Sequence, residues 1–193
     1  SGYKIGTIGL PMQGVTMGVD EEGELCIKSP AVCVGYHNHP EITKQQIVDG
    51  WLHTGDLGSI DDEGFVSLTG RKKDLIITAG GKNVSPGELE ASVMTSAVVD
   101  QCVLVGDRKP FIAAIVSIDL TETNTWLKAQ GAEPVADLAE AAKSPIVYAE
   151  VERAVNKANE LVSRAESIRK FVIVDDAFTE DNGMVTASMK ARR

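Results

Sequence analysis

The hydrophobic period of this chain changes near residue 70, which limits the fold to two units of different build. Before that point apolar residues come in short alternating runs: Glu24-Leu25-Cys26-Ile27-Lys28, Trp51-Leu52-His53-Thr54 and Gly64-Phe65-Val66-Ser67-Leu68. Period-two alternation is the pattern of strands with one buried face. The turn signals Asp20-Glu21-Glu22-Gly23 and Asp61-Asp62-Glu63-Gly64 separate the runs, so residues 1–70 read as a small antiparallel, barrel-like β unit. One helix is predicted inside it, from Pro40 to Val48, with Pro at an early position, Glu41 in the first turn and Gly50 as the stop.

Beyond residue 70 helical spacing takes over. Leu75-Ile76-Ile77-Thr78-Ala79 reads as a short strand and Gly80-Gly81-Lys82-Asn83-Val84 as a loop. Ser85-Pro86-Gly87-Glu88 then combines a capping residue, Pro at the first helical position and Glu three residues after the cap. Leu89, Val93 and Met94 form the expected buried side of that helix. Cys102–Val105 and Phe111–Ile118 read as strands joined by the turn Gly106-Asp107-Arg108-Lys109-Pro110. Helices are predicted over about 122–130 and 135–142. The longest opens at Ser144-Pro145, with Val147, Val151, Val155, Ala158, Val162 and Ala165 three or four residues apart. Lys170–Val174 returns as a strand, and Thr179 to Arg193 reads as a tail too rich in small residues to pack deeply. The expected fold class is α+β: the β unit, then a compact domain over 75–193 with a short antiparallel sheet and packed helices. Residues 71–74, Arg71-Lys72-Lys73-Asp74, are the junction.

Charge separates the same two regions. The 193 residues carry 19 Lys plus Arg against 28 Asp plus Glu, a net charge of −9. Residues 1–70 hold 3 basic and 10 acidic side chains, so the acidity lies at the front. Binding to nucleic acid draws its affinity from clustered Lys and Arg, so the overall charge argues against a nucleic-acid partner. The three cysteines, Cys26, Cys33 and Cys102, are an odd number without metal-type spacing and are expected as buried thiols in a reducing compartment. No apolar run is long enough for a transmembrane helix, and a cytoplasmic location is the expectation, with peripheral membrane contact compatible. The start at Ser1-Gly2-Tyr3, among turn residues, suggests a piece of a longer protein.

The motifs exclude several chemistries. Gly80-Gly81-Lys82 does not fit a phosphate loop of the form G-x-x-x-x-G-K-[ST], since position 76 is Ile and position 83 is Asn. His37, His39 and His53 lack ligand spacing, so no metal site is expected. No Gly-x-Ser-x-Gly or Cys/His pattern marks a nucleophile. Three polar features remain. Asp56 follows Gly55 at the end of an apolar run, where its carboxylate could accept hydrogen bonds from two adjacent ribose hydroxyls or from its own backbone in a turn. Gly70–Asp74 reads as a solvated linker or a junction with a role. Lys190, in Thr186–Arg193, sits in a basic tail that could reach an anionic transition state or simply be mobile.

Taken in order, these segments resemble the adenylate-forming acyl-CoA synthetases. The resemblance rests on Gly50–Leu57, on the continuous stretch Gly64 to Pro86, and on Ile5–Pro11, Gly23–Lys28, Gly35-Tyr36 and Pro40–Thr43. The form Ile-Thr-Ala-Gly-Gly-Lys-Asn-Val-Ser-Pro is most similar to the long-chain fatty acid–CoA ligase branch. The resemblance implies an enzyme that uses ATP and magnesium to make acyl-AMP and then transfers the acyl group to coenzyme A. It implies nucleotide-binding roles for Asp56 and Arg71, a hinge at Asp74, a pantetheine-channel loop at Gly80, Gly81 and Lys82, and a catalytic lysine at Lys190. The implied partners are a fatty acid, ATP, coenzyme A and the chain's own N-terminal body. The isolated fragment is expected to be inactive, because the phosphate loop and acyl pocket would lie upstream of Ser1. The alternatives are another acyl- or aryl-CoA synthetase, a fatty-acyl-AMP ligase, or a non-catalytic interaction module that retains the fold.

Overall fold

The computed structural model describes residues 3–186, and the chain divides into two compact units between Leu75 and Ile76. In the first unit β1 (Thr16–Val19), β2 (Glu24–Lys28), β3 (Ile47–Val48), β4 (Trp51–Ile60) and β5 (Val66–Arg71) form an antiparallel sheet. Both β3 and β5 pair with β4, in line with β1-β2-β4. The ladder is open: among the described residues it does not close into the barrel-like form expected. Leu25, Cys26, Leu57, Phe65 and Val66 are its buried apolar residues.

The two acidic turns are built alike. Asp20 Oδ1 accepts from the amides of Glu22 and Glu24, and Asp61 Oδ1 from those of Glu63 and Phe65. Each turn ends on a glycine with positive φ, Gly23 and Gly64, where a Cβ would be strained. Helix α1 (Pro40–Gln46) is shorter than predicted. Ile47 and Val48 leave it to pair with Leu52 and Trp51, so β-ladder bonding ends the helix before Gly50 does. Strand β4 runs on through Gly55 and Asp56, where the alternation suggested an end or a turn.

The second unit opens with the hairpin β6 (Ile76–Ile77) and β7 (Asn83–Val84), a shorter β6 than predicted. Then come α2 (Pro86–Val93), β8 (Val99–Val105), β9 (Ile112–Ile118), α3 (Leu120–Ala129), α4 (Leu138–Lys143), α5 (Pro145–Asn159) and β10 (Ile168–Ile173). Strands β8 and β9 are antiparallel, whereas β10 lies parallel to β9, so this sheet is mixed where an antiparallel one was expected. The connection from β9 to β10 is a helical crossover, and a crossover delivers the next strand in the same direction.

Side chains on the two sheet faces follow the strand period. Cys102, Leu104, Ile112, Ala114 and Val116 join Leu89 and Val93 of α2 and Val151, Val155 and Ala158 of α5 in the main core. Val103 and Ile115 point the other way, onto Phe178 and Val185. Val185 is fully buried, so within the described part of the tail, up to Thr186, one residue packs deeper than the composition suggested. The turn at Thr179–Asn182 brings it there: the amides of Met184 and Val185 reach the Thr179 carbonyl. Two predicted core positions are not core. Met94 caps α2 and is exposed, and Ala165 lies beyond the end of α5. Glu90 on α2 accepts the Leu104 amide at 2.7 Å, which occupies a backbone donor on β8, the outer strand of the sheet. No helix among the described residues is long and apolar enough to cross a membrane.

Candidate functional site

The first group of site residues is built by a defect in the β4–β5 ladder. The register shifts between Leu57 and Gly58, and after the shift Asp56 stands opposite Arg71. Gly58 permits this: a Cβ there would lie 2.2 Å from the Ser67 carbonyl oxygen and 2.7 Å from Leu25 Cδ1. Arg71 Nε then meets Asp56 Oδ1 at 2.7 Å, with both side chains partly exposed. The Asp56 amide is held by Thr54 Oγ1, and Thr54 Oγ1 itself donates to the Leu25 carbonyl. A carboxylate and a guanidinium are thus held side by side on neighbouring strands. The strand context also excludes the turn alternative for Asp56, and Arg71 is the last residue of β5 rather than part of a linker.

Below this pair lies a charge network that sequence spacing did not announce. Lys72 bridges Glu22 and Glu24, at 2.9 Å from Glu24 Oε2. Glu24 is almost fully buried. Burial alone would raise its carboxyl pKa, but Lys72, the Gly55 amide and His53 hold it below the usual range. Glu22 and Glu24 hold the Lys72 ammonium well above the ordinary lysine value. Lys72, Lys73 and Asp74 form a single 3-10 turn, and Asp74 is half-buried at its end, next to the unit boundary.

The second group is the β6–β7 loop. Thr78 closes it: the Thr78 amide donates to the Lys82 carbonyl, the Gly81 amide to the Thr78 carbonyl, and the Lys82 amide to Thr78 Oγ1. Gly81 has φ +77°, which favours glycine, while Gly80 has no such demand. The amides of Arg108 and Ala79 tie the hairpin to the Gly106–Pro110 turn. Lys82 Nζ lies 3.3 Å from Glu166 Oε1, so its charge is paired within its own unit. Lys190 falls outside the described residues.

The expectation of three buried thiols does not hold throughout. Cys26 and Cys102 are buried, whereas Cys33 is exposed, because it lies in the irregular segment between β2 and α1. His37 and His39 lie in or beside exposed turns. His53 is different, since its Nδ1 meets Cys26 Sγ at 3.5 Å, Glu24 Oε2 at 3.3 Å and Asp20 Oδ2 at 3.8 Å. Alternation allows Cys26 and His53 to share one face of two neighbouring strands, but nothing in the sequence fixed the pairing or the register.

The chain resembles known proteins over nearly all its length. It is 43% identical over 190 residues to the long-chain-fatty-acid–CoA ligase FadD15 of Mycobacterium tuberculosis, covering 98% of this chain and 32% of that protein. It is 36% identical to the long-chain-fatty-acid–CoA ligase ACSBG2 of Gallus gallus, over 90% of this chain and 25% of that protein. The chain therefore spans about a third or less of the length of these relatives. Among solved structures, o-succinylbenzoate CoA synthetase from Bacillus subtilis, in complex with its acyl-adenylate intermediate, superposes with TM-score 0.70 at 23% identity. The match covers 97% of this chain and 34% of that one, and at this identity it shows the fold. Residues 73–193 match the AMP-binding enzyme C-terminal domain, and the chain belongs to that family.

Proposed function

We propose that this chain is the C-terminal part of an AMP-forming long-chain fatty acid–CoA ligase, active only together with an N-terminal body. The observation that carries the reading is the Asp56–Arg71 pair, a carboxylate and a guanidinium held 2.7 Å apart on adjacent strands. The kinship with long-chain-fatty-acid–CoA ligases supports the substrate class. Arg71 takes Asp56 Oδ1, and Oδ2 is assigned to the hydroxyls of the nucleotide ribose, which need an acceptor. Arg71 contacts the same sugar from the neighbouring strand.

Adenylation brings a carboxylate to an α-phosphate, two anions, so a positioned ammonium is most valuable where that charge accumulates. Lys190 is assigned this role. Thioester formation has a thiol nucleophile and AMP as leaving group, and it needs the lysine withdrawn. In the proposed cycle the 75–193 domain rotates about Asp74 between the two steps. The Gly80-Gly81-Lys82 loop then lines the pantetheine channel. The space around a Cβ at Gly81 is open, which suits close approach by a ligand.

Magnesium would accompany the ATP, held by its phosphates with one or two carboxylates, and among the described residues the clustered potential ligands are Asp20, Cys26 and His53. The grouped metal-ligating side chains include a thiol, whereas magnesium takes oxygen ligands in octahedral array.

The test uses the full-length protein with ATP, magnesium and a long-chain fatty acid. Pyrophosphate release and acyl-AMP are expected, followed by acyl-CoA when coenzyme A is added. Lys190→Ala should abolish the first step and spare thioester formation from supplied acyl-AMP. Turnover of aryl but not long-chain acids would move the assignment to another synthetase, and acyl-AMP without acyl-CoA would make it an acyl-AMP ligase. Complete inertness with intact nucleotide binding would favour an interaction module.

A further inference from the structure

We propose that Asp20, Cys26 and His53 form a binding site for a thiophilic divalent cation of the zinc type. The donor atoms of the three side chains all lie within 4.8 Å of one another. Cys26 Sγ is 3.5 Å from His53 Nδ1, which is 3.8 Å from Asp20 Oδ2. Tetrahedral zinc, with Zn–S near 2.3 Å and Zn–N and Zn–O near 2.0–2.2 Å, sets its ligand atoms about 3.3–3.6 Å apart. The Cys26–His53 separation already has that value, whereas Asp20, 3.8 Å from His53 and within 4.8 Å of Cys26, has to swing inward by up to about an ångström to complete the set.

The scaffold fixes the donors. Cys26 on β2 and His53 on β4 are direct cross-strand partners, so their Cβ atoms leave the same face of the sheet. Asp20 follows β1, and the amides of Glu22 and Glu24 hold its Oδ1. Its other oxygen, Oδ2, faces the imidazole. A cavity of about 310 Å³, lined by these three residues together with Gly18, Val48 and Trp51 among others, opens onto the group. It provides an entry path and room for a water as fourth ligand, the arrangement of an open rather than a closed zinc site.

Charge and softness select the ion. One carboxylate and one thiolate neutralise a dication; Glu24, 3.3 Å from the same Nδ1, gives up its contact with the ring when the imidazole proton moves to Nε2, and keeps Lys72 and the Gly55 amide. Without metal the group is a thiol, and burial together with Asp20 and Glu24 opposes loss of its proton. Binding forms the Cys26 Sγ–metal bond and breaks the S–H bond, releasing one proton to solvent, with no change of oxidation state. A thiolate with an imidazole favours zinc over magnesium or calcium.

The experiment takes the full-length protein freed of metal by a chelator and titrates it with Co²⁺, followed by displacement with Zn²⁺. One equivalent is expected to bind with tetrahedral d–d absorption and a thiolate-to-cobalt charge-transfer band, both lost when zinc is added. Cys26→Ser should remove the charge-transfer band, and His53→Gln and Asp20→Asn should each weaken binding at least tenfold. Cys33→Ser should leave the titration unchanged. Circular dichroism of each variant separates lost binding from lost folding, and Asp20→Asn is the variant least disruptive to the core. Failure of the wild-type protein to bind cobalt, or a charge-transfer band that survives Cys26→Ser, would overturn the proposal. The titration is independent of ligase turnover, so its failure leaves the catalytic reading untouched.

Discussion

Asp56 and Arg71, 15 positions apart in the chain, stand directly opposite one another on β4 and β5, with Nε 2.7 Å from Oδ1. Because both side chains are partly exposed, the ion pair itself is worth only ~0–1 kcal/mol of stability. Asp56→Asn should therefore leave the denaturation midpoint of the full-length protein nearly unchanged. Nucleotide affinity should fall much further, since a charge-assisted hydrogen bond of ~1.5–3 kcal/mol corresponds to roughly 10- to 100-fold in binding. Urea unfolding and ATP titration of the same variant separate the two effects, and a large loss of stability with intact ATP affinity would make the pair structural.

Gly58 is the residue that places this pair. An alanine methyl 2.2 Å from the Ser67 carbonyl has to push β5 aside or erase the register shift. Gly58→Ala should destabilise by ~1–3 kcal/mol, the range of overpacked cores. It should also weaken nucleotide binding, because Arg71 moves with β5. A fully stable, fully binding Gly58→Ala protein would show that the bulge has no part in positioning Arg71.

The two loop glycines should respond differently to alanine. Gly81, at φ +77°, carries a conformational penalty of ~1–2 kcal/mol for any other residue. Gly80→Ala meets no close neighbour, with Thr78 Oγ1 at 4.0 Å, and should leave stability unchanged. If Gly80→Ala nonetheless slows thioester formation while sparing adenylation, the loop approaches its ligand at that position. Equal rates in both steps would remove Gly80 from the channel.

Acid should weaken the second unit through Glu150. Arg153 Nε and Nη2 donate to its carboxylate, and these hydrogen bonds, with one from Ser96 Oγ, hold its pKa below the ordinary glutamate value against the opposing effect of burial. A depressed folded-state pKa means that the stabilisation is fully present above the unfolded-state value. It disappears as pH falls from there through the folded-state value. Glu150→Gln should flatten this part of the acid limb in a plot of unfolding free energy against pH, and an unchanged slope would assign the acid sensitivity elsewhere.

The thiols should react in the order of their exposure. Cys33 is exposed, whereas burial and the neighbouring Glu90 push the Cys102 thiol up to about 12. Since thiolate is the reactive form, Cys102 should resist aromatic disulfide reagents near neutral pH until the protein unfolds. Mass spectrometry of the labelled peptides distinguishes the sites. Labelling of Cys102 at the Cys33 rate would mean that the α2–β8 packing opens freely.

Local signals settled much of the framework before any tertiary information. Strand β2 runs over Glu24–Lys28, the residues its alternation marked. Helices α2 and α5 begin at Pro86 and Pro145, where proline followed serine, although neither serine side chain caps its helix. Those features depend on neighbours in the chain, and neighbours are what a sequence displays. The ordered segments from Gly50 to Pro86 also carried the resemblance to acyl-CoA synthetases, and with it the roles assigned to Asp56, Arg71 and the glycine loop.

Only the fold decided relationships that depend on register and crossover. Alternation says which face a residue occupies, but a strand's partner and alignment are set by the whole sheet, so the Asp56–Arg71 pair, the Cys26–His53 pair and the burial of Glu24 beside Lys72 were hidden. The parallel β10 follows from the helical return of the chain, and the burial of Val185 follows from a turn over the second face of the sheet. In each case the energy comes from contacts between residues far apart in the chain, and no local pattern records where such residues meet.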